Sequence, residues 1–236
     1  MAEKYIKYFE EFVTEDKEDV ITICEAASKI IYDRFKLKLN AELLATIYSS
    51  TYYSILGELK ELEKEYKDVG FHINIADRLE IGYSTTSDED DEKQGNFQIY
   101  VRHLNSTKKN DDIADEDART EERAVIWNAT NIKEQPELLK KIAIRAKNDL
   151  EKNLEIVIGS SELILPMFIS TYEALIVYLT TKRRELDEFA YEINFCSCFE
   201  IGARETEDDL DEIYVTPSIA SKLTLKDDAS ASAKFE

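Results

Sequence analysis

Apolar residues recur three and four positions apart at Leu44, Tyr48, Tyr52, Ile55, Leu59, Leu62 and Tyr66. That spacing puts them on one face of a helix and predicts a long one over residues 41–67, with Asn40 as its N-cap. The period then changes to two, with Phe71, Ile73, Ile75, Leu79, Ile81 and Tyr83 all at odd positions. Unbroken alternation predicts one long, bent strand. A hairpin with a three-residue loop at 76–78 would keep the same parity, but Ala76-Asp77-Arg78 lacks the glycine such a loop prefers. A polar loop and a pairing strand around 97–101 follow. Upstream, Val20, Ile23, Cys24, Ala27, Ile30 and Ile31 mark a helix over 15–34, capped by Thr14, and the alternation in Phe35–Leu39 suggests a short strand.

The same succession returns 120 residues later. Residues 161–208 laid under 41–88 without gaps repeat Ser50-Thr51-Tyr52 as Ser170-Thr171-Tyr172. They also repeat Ile73-Asn74 as Ile193-Asn194 and Glu80-Ile81-Gly82 as Glu200-Ile201-Gly202. Helix periodicity alone would not bring these three groups into one register. After a loop six residues shorter, Ile213-Tyr214-Val215 matches Ile99-Tyr100-Val101. Pro136 suits the first turn of a helix over 136–152, Leu154–Ile158 takes the short-strand place, and Pro166 delays the start of a long helix ending near Asp187. Self-similarity at a long fixed period marks duplicated units.

The fold class expected is α+β, a tandem duplication of a unit with two helices packed on a small, mainly antiparallel sheet, the copies related by a pseudo-twofold axis. The units span 1–103 and 121–224, with a polar linker at 104–120 and a mobile tail at 225–236.

A content of 43% hydrophobic residues supports a core, so charge is the unusual quantity: 50 acidic against 30 basic residues, a net of −20. So acidic a surface repels phosphate backbones and anionic lipid, disfavours direct nucleic-acid binding and favours basic partners. Cys24, Cys196 and Cys198 have no framework spacing and read as free thiols. The start, MAEKYIKYFEEF, lacks the apolar core of a signal peptide, and LILPMFI and ALIVYL fall short of a membrane span. A cytoplasmic protein without membrane contact is expected, or one assembled into a particle from the cytoplasm.

Candidate chemistry is thin. His72 alternates with Phe71 and Ile73 and reads as a surface residue; His103 is the other histidine. Six scattered glycines form no phosphate cradle, and no nucleophile elbow or zinc-helix motif occurs. Cys196-Ser197-Cys198 could offer two thiolates to a metal, but no further ligands stand nearby. An EF-type loop begun at Asp90 has Gly95 in place and Val101 where the bidentate glutamate is required. Ser50-Thr51 and Ser170-Thr171 read as hydroxyls that bond back to their own helix or ease close helix packing. No enzyme activity, cofactor or metal is expected.

What remains is surface. Asp88, Glu89, Asp90, Asp91 and Glu92 occupy one hairpin loop, and Asp208, Asp209, Asp211 and Glu212 its counterpart. Lys140, Lys141 and Arg145 sit on one helix of the second unit, Arg183 and Arg184 at the end of the other. An acidic loop of one molecule meeting the basic side of the next would give head-to-tail contacts that salt weakens. The reading is a non-enzymatic protein-interaction or assembly component, such as part of a phage virion, whose partners are basic surfaces or further copies of itself. Its alternatives are an acidic nucleic-acid mimic that inhibits a basic host enzyme and, last, a carboxylate-based metal enzyme.

Overall fold

In the computed structural model, which describes residues 16–65, 71–86, 96–104, 135–155, 157–206 and 210–217, the first helix is α1 (Lys17–Phe35). Thr14, expected as its cap, lies outside the described residues; Asp16 stands at the cap position, and its carboxylate accepts from the Asn194 N–H at 2.7 Å. The next helix, α2 (Ala41–Glu65), begins at Asn40 as expected, whose Oδ1 accepts from the Leu43 N–H at 2.8 Å. Three strands follow, β1 (Phe71–Ile75), β2 (Leu79–Thr86) and β3 (Asn96–His103).

The second half repeats this order. It holds α3 (Gln135–Leu154), a 3₁₀ turn (Ser161–Leu163), α4 (Ile164–Leu186), β4 (Ala190–Phe195), β5 (Phe199–Glu205) and β6 (Asp211–Pro217). Pro166 sits in the first turn of α4, where its missing N–H is no loss. The expected linker beyond Leu104, the segment Ala124–Trp127 and the tail at 225–236 lie outside the described residues.

Each half thus contributes two helices and one three-stranded antiparallel sheet, an α+β fold. The two sheets share one register. Ile73 faces Ile81 and Ile81 faces Val101; Ile193 faces Ile201 and Ile201 faces Val215. Ile73, Ile81, Val101, Ile193 and Ile201 are buried and Val215 packs against them half-buried, so the alternation read from the sequence marks the core face of both sheets.

Two local expectations are overturned. The long bent strand is a tight hairpin in both halves. Ala76 and Asp77 (φ 53° each), like Cys196 and Ser197 (φ 53° and 55°), take left-handed conformations, and Arg78 and Cys198 donate back to Ile75 and Phe195. This turn normally demands glycine or asparagine. The first is braced by Asn74, whose side chain accepts from the Asp77 N–H and donates to its carboxylate, both at 2.9 Å. The second is held by burial of both cysteines. A non-glycine residue in this region costs about 1 kcal/mol. Ala76 is exposed, so Ala76→Gly is expected to raise the thermal midpoint, with a gain of up to about 1 kcal/mol.

The second correction concerns Phe35–Leu39 and Leu154–Ile158, which are not strands. Phe35 and Leu154 end their helices, Lys36 (φ 59°) and Glu155 (φ 54°) reverse the chain, and Leu37, Leu39 and Ile158 pack on the core without joining a sheet. Alternation there reports which side chains are buried, not strand pairing.

The halves are interlocked. Helix α1 lies against α4, α3 lies against α2, and α2 crosses α4 between them. The outer strands β3 and β6 also meet without merging into one sheet. Tyr48 on α2 stacks on Phe168 on α4 with ring centroids 4.3 Å apart, and its edge meets Phe195 of the second hairpin. These two stacked residues stand 120 positions apart, the period of the sequence repeat. One continuous core results, drawn from both halves. Ser161–Leu186 is the one described segment long and apolar enough to cross a membrane, and half of that apolar stretch is buried in this core.

Candidate functional site

Every basic residue singled out in the sequence except Lys140 finds a carboxylate of its own chain. Glu58 lies on α2, its side chain only 4% exposed; Lys141 Nζ reaches it at 2.6 Å and Arg145 at 3.2 Å, both from α3. Gly57 makes this possible, because a Cβ there would collide with the Arg145 guanidinium. The position 120 residues later, Tyr178 on α4, also crosses between halves, donating to Asp19 of α1 at 2.5 Å, while Tyr191 donates to the other oxygen at 2.6 Å. Burial, then the bonds to Asp19, push both phenols above their usual range.

Arg183 and Arg184 behave alike. Arg183 is buried near the end of α4 and reaches Asp211 at 2.6 Å, Glu205 at 2.9 Å and the Glu188 carbonyl at 3.2 Å. Arg184 pairs with the other oxygen of Asp211, and Arg204 holds Glu212 at 2.6 Å. The basic end of the long helix and the acidic hairpin beside it are therefore joined within one half. Among the expected contact residues, Asp88, Glu89, Asp90, Asp91, Glu92, Asp208 and Asp209 lie outside the described residues. Lys140 is exposed on α3.

The sheet faces turned away from the core carry a half-buried polar group. On β1–β3, His72 lies 3.5 Å from Glu80, with Tyr100 and Arg102 beside them. His72, expected on an open surface, has a side chain only 19% exposed, and burial lowers its pKa against the opposing pull of Glu80. On the second sheet Tyr214 lies across Gly202, where any side chain would strike its ring, and is pushed up to about 12 by burial and its bond to Glu192. The tyrosine-opposite-glycine register recurs in both halves and braces each sheet.

The thiols offer little chemistry. All three cysteines are buried, and burial pushes Cys196 up to about 12 and holds the other two well above the usual thiol range. A thiolate is thus disfavoured, and a thiol reagent is expected to label the native protein only as fast as it unfolds, which a stopped-flow labelling trace in increasing urea would check. Among the described residues no group of three metal-ligating side chains converges. The hydroxyls of Thr51 and Thr171 bond back to Ile47 and Met167 of their own helices, as the sequence suggested. Tyr172, buried beside them, meets His103 of β3 at 3.0 Å, one more bond between halves.

One surface feature is assembled only by the folded chain. Lys29 and Tyr32 on α1 and Lys38 just beyond it line an open depression of about 470 Å³, and Lys36 stands over the Tyr32 ring beside it. The signal existed in Lys29 and Tyr32 one helical turn apart and in Lys36-Leu37-Lys38-Leu39. It was hidden because the chain reversal at Lys36, which folds the second group back over the first, cannot be read from propensity.

No family model, no curated protein and no solved structure matches this chain.

Proposed function

We propose that this chain is a non-enzymatic protein-interaction or assembly component, built from two copies of one helix–sheet unit interlocked about a pseudo-twofold axis. A residue meeting its own counterpart is the mark of such an axis, and the Tyr48–Phe168 stack is the contact that suggests it. The observation that supports the interaction reading is the disposal of charge. Arg34, Lys141, Arg145, Lys147, Arg183, Arg184 and Arg204 are all paired with carboxylates of this chain. The excess of acid that gives a net −20 is left for partners. A surface of that sign gains from meeting cationic groups and steers them by long-range attraction.

Light scattering across a concentration series at low and high salt tests this. The expected result is a mass above the 27.3 kDa of one chain at low salt that returns to it at high salt. A single-chain mass under every condition, together with a bound metal or a measurable turnover, would count against it. The same charge supports a second reading, an acidic mimic of nucleic acid bound to a basic enzyme. In that case the partner would be displaced by duplex DNA or RNA, which self-association would not be.

A further inference from the structure

In the first half, one cluster of lysines has no carboxylate partner among the described residues. Helix α1 ends at Lys36 in a left-handed turn, its N–H bonded to the Tyr32 carbonyl at 2.8 Å. The next residues are folded back over the helix, and Ser28 Oγ fastens them by donating to the Leu39 carbonyl at 2.6 Å. The depression so formed has Tyr32, 42% exposed, as its floor, with the Lys36 and Lys38 ammonium groups 5.5 and 5.8 Å from its ring. Lys29 lines the same depression. Neither Lys29 nor Lys38 has an ion-pair partner among the described residues; Asp33 is the one acid in the lining. The second half does not repeat the feature: Asp149, Lys152 and Ile158 stand 120 positions after Lys29, Tyr32 and Lys38.

We propose that this groove receives the acidic run Asp88–Glu92 of a second copy of the chain. The inference rests on the assembly reading and names its contact. Charge complementarity carries it. Five consecutive carboxylates in Asp88–Glu92 would face three lysines that have no carboxylate partner among the described residues, whereas Lys141, Arg145, Arg183 and Arg184 are paired internally. The exposed tyrosine gives the peptide backbone an apolar platform, and its cationic rim excludes basic segments. Because the groove occurs once among the described residues and the acidic run is a different segment of the chain, the contact is heterologous and propagates head to tail.

The test uses the full chain and a fluorescein-labelled peptide of residues 86–92, followed by anisotropy at about 50 and about 500 mM salt. Saturable binding at low salt is expected, weakened about tenfold or more by salt and by the double variant Lys29→Glu/Lys38→Glu. The control Lys152→Glu, an exposed lysine outside the groove, should bind as the parent does. Sedimentation should show self-association lost in the first variant and kept in the control. If the first variant binds the peptide as well as the parent does, the groove is not the site. If it still associates, assembly stands and this contact falls. If the peptide binds but the parent chain stays monomeric, the groove serves an acidic partner other than a second copy. Tighter binding of an oligothymidylate of equal length would make it a phosphate site. Each of these four results overturns the proposal.

Discussion

Phe168→Ala is expected to destabilise the whole protein by about 4 kcal/mol and to do so in one transition. The side chain is fully buried where α4 crosses α2, stacked on Tyr48. Its removal loses the transfer free energy of the ring and leaves a cavity that residues from both halves must close. A lowered urea midpoint with an unchanged slope would show that the halves unfold together; a second transition would show that they do not. Val177→Ala, on the exposed side of the same helix, should cost less than about 0.5 kcal/mol. The partner in the stack gives the opposite sign. Tyr48 Oη is buried with no hydrogen-bond partner among the described residues. Tyr48→Phe is therefore expected to be neutral or to stabilise by about 1 kcal/mol, as a desolvated hydroxyl without a partner is worse than none.

The double change Lys141→Ala/Arg145→Ala should cost about 2 kcal/mol, and adding Glu58→Leu should recover most of the loss. The asymmetry comes from burial. Glu58 is 4% exposed while Lys141 and Arg145 are 63% and 42% exposed. The cations return easily to water, so deleting the acid strands nothing; deleting the cations strands a carboxylate in the interior. Glu58→Leu alone should change stability by less than about 1 kcal/mol, and urea melts of the three variants and the parent form the cycle that separates these cases.

Much of the fold was legible because it follows from period. The stripe from Leu44 to Leu59 and the odd-numbered Ile73, Ile75, Leu79, Ile81, Ile193, Phe195, Phe199 and Ile201 on the two sheets report burial directly, and these are core. Asn40 acted as the cap its chemistry suggests. Parity could not separate a strand from a hairpin of odd loop length, and the deciding glycine is absent because Asn74 and the buried cysteines hold the turns instead. Nor could it tell Phe35–Leu39 from a strand, since a chain folded back on a helix also buries alternate side chains.

The candidate surface was less legible still. Clustered cations were visible along the chain, but the carboxylates that neutralise them come from elsewhere, Glu58 from 83 residues before Lys141 and Asp211 from 28 after Arg183. Sequence spacing ranks such clusters by size. Folding decides which remain available, and among the described residues it leaves Lys29, Lys36 and Lys38 together, a group split by the end of a helix.

The interlocking of the halves is the claim on which the account stands, and cutting the chain tests it most directly. A protease site placed within residues 105–134 would separate α1, α2 and their sheet from α3, α4 and theirs. With α1 against α4 and α3 against α2, the cut protein should run on a sizing column as one particle holding both fragments and keep its circular dichroism, parting only in denaturant. Two folded fragments that drift apart in native buffer would contradict it.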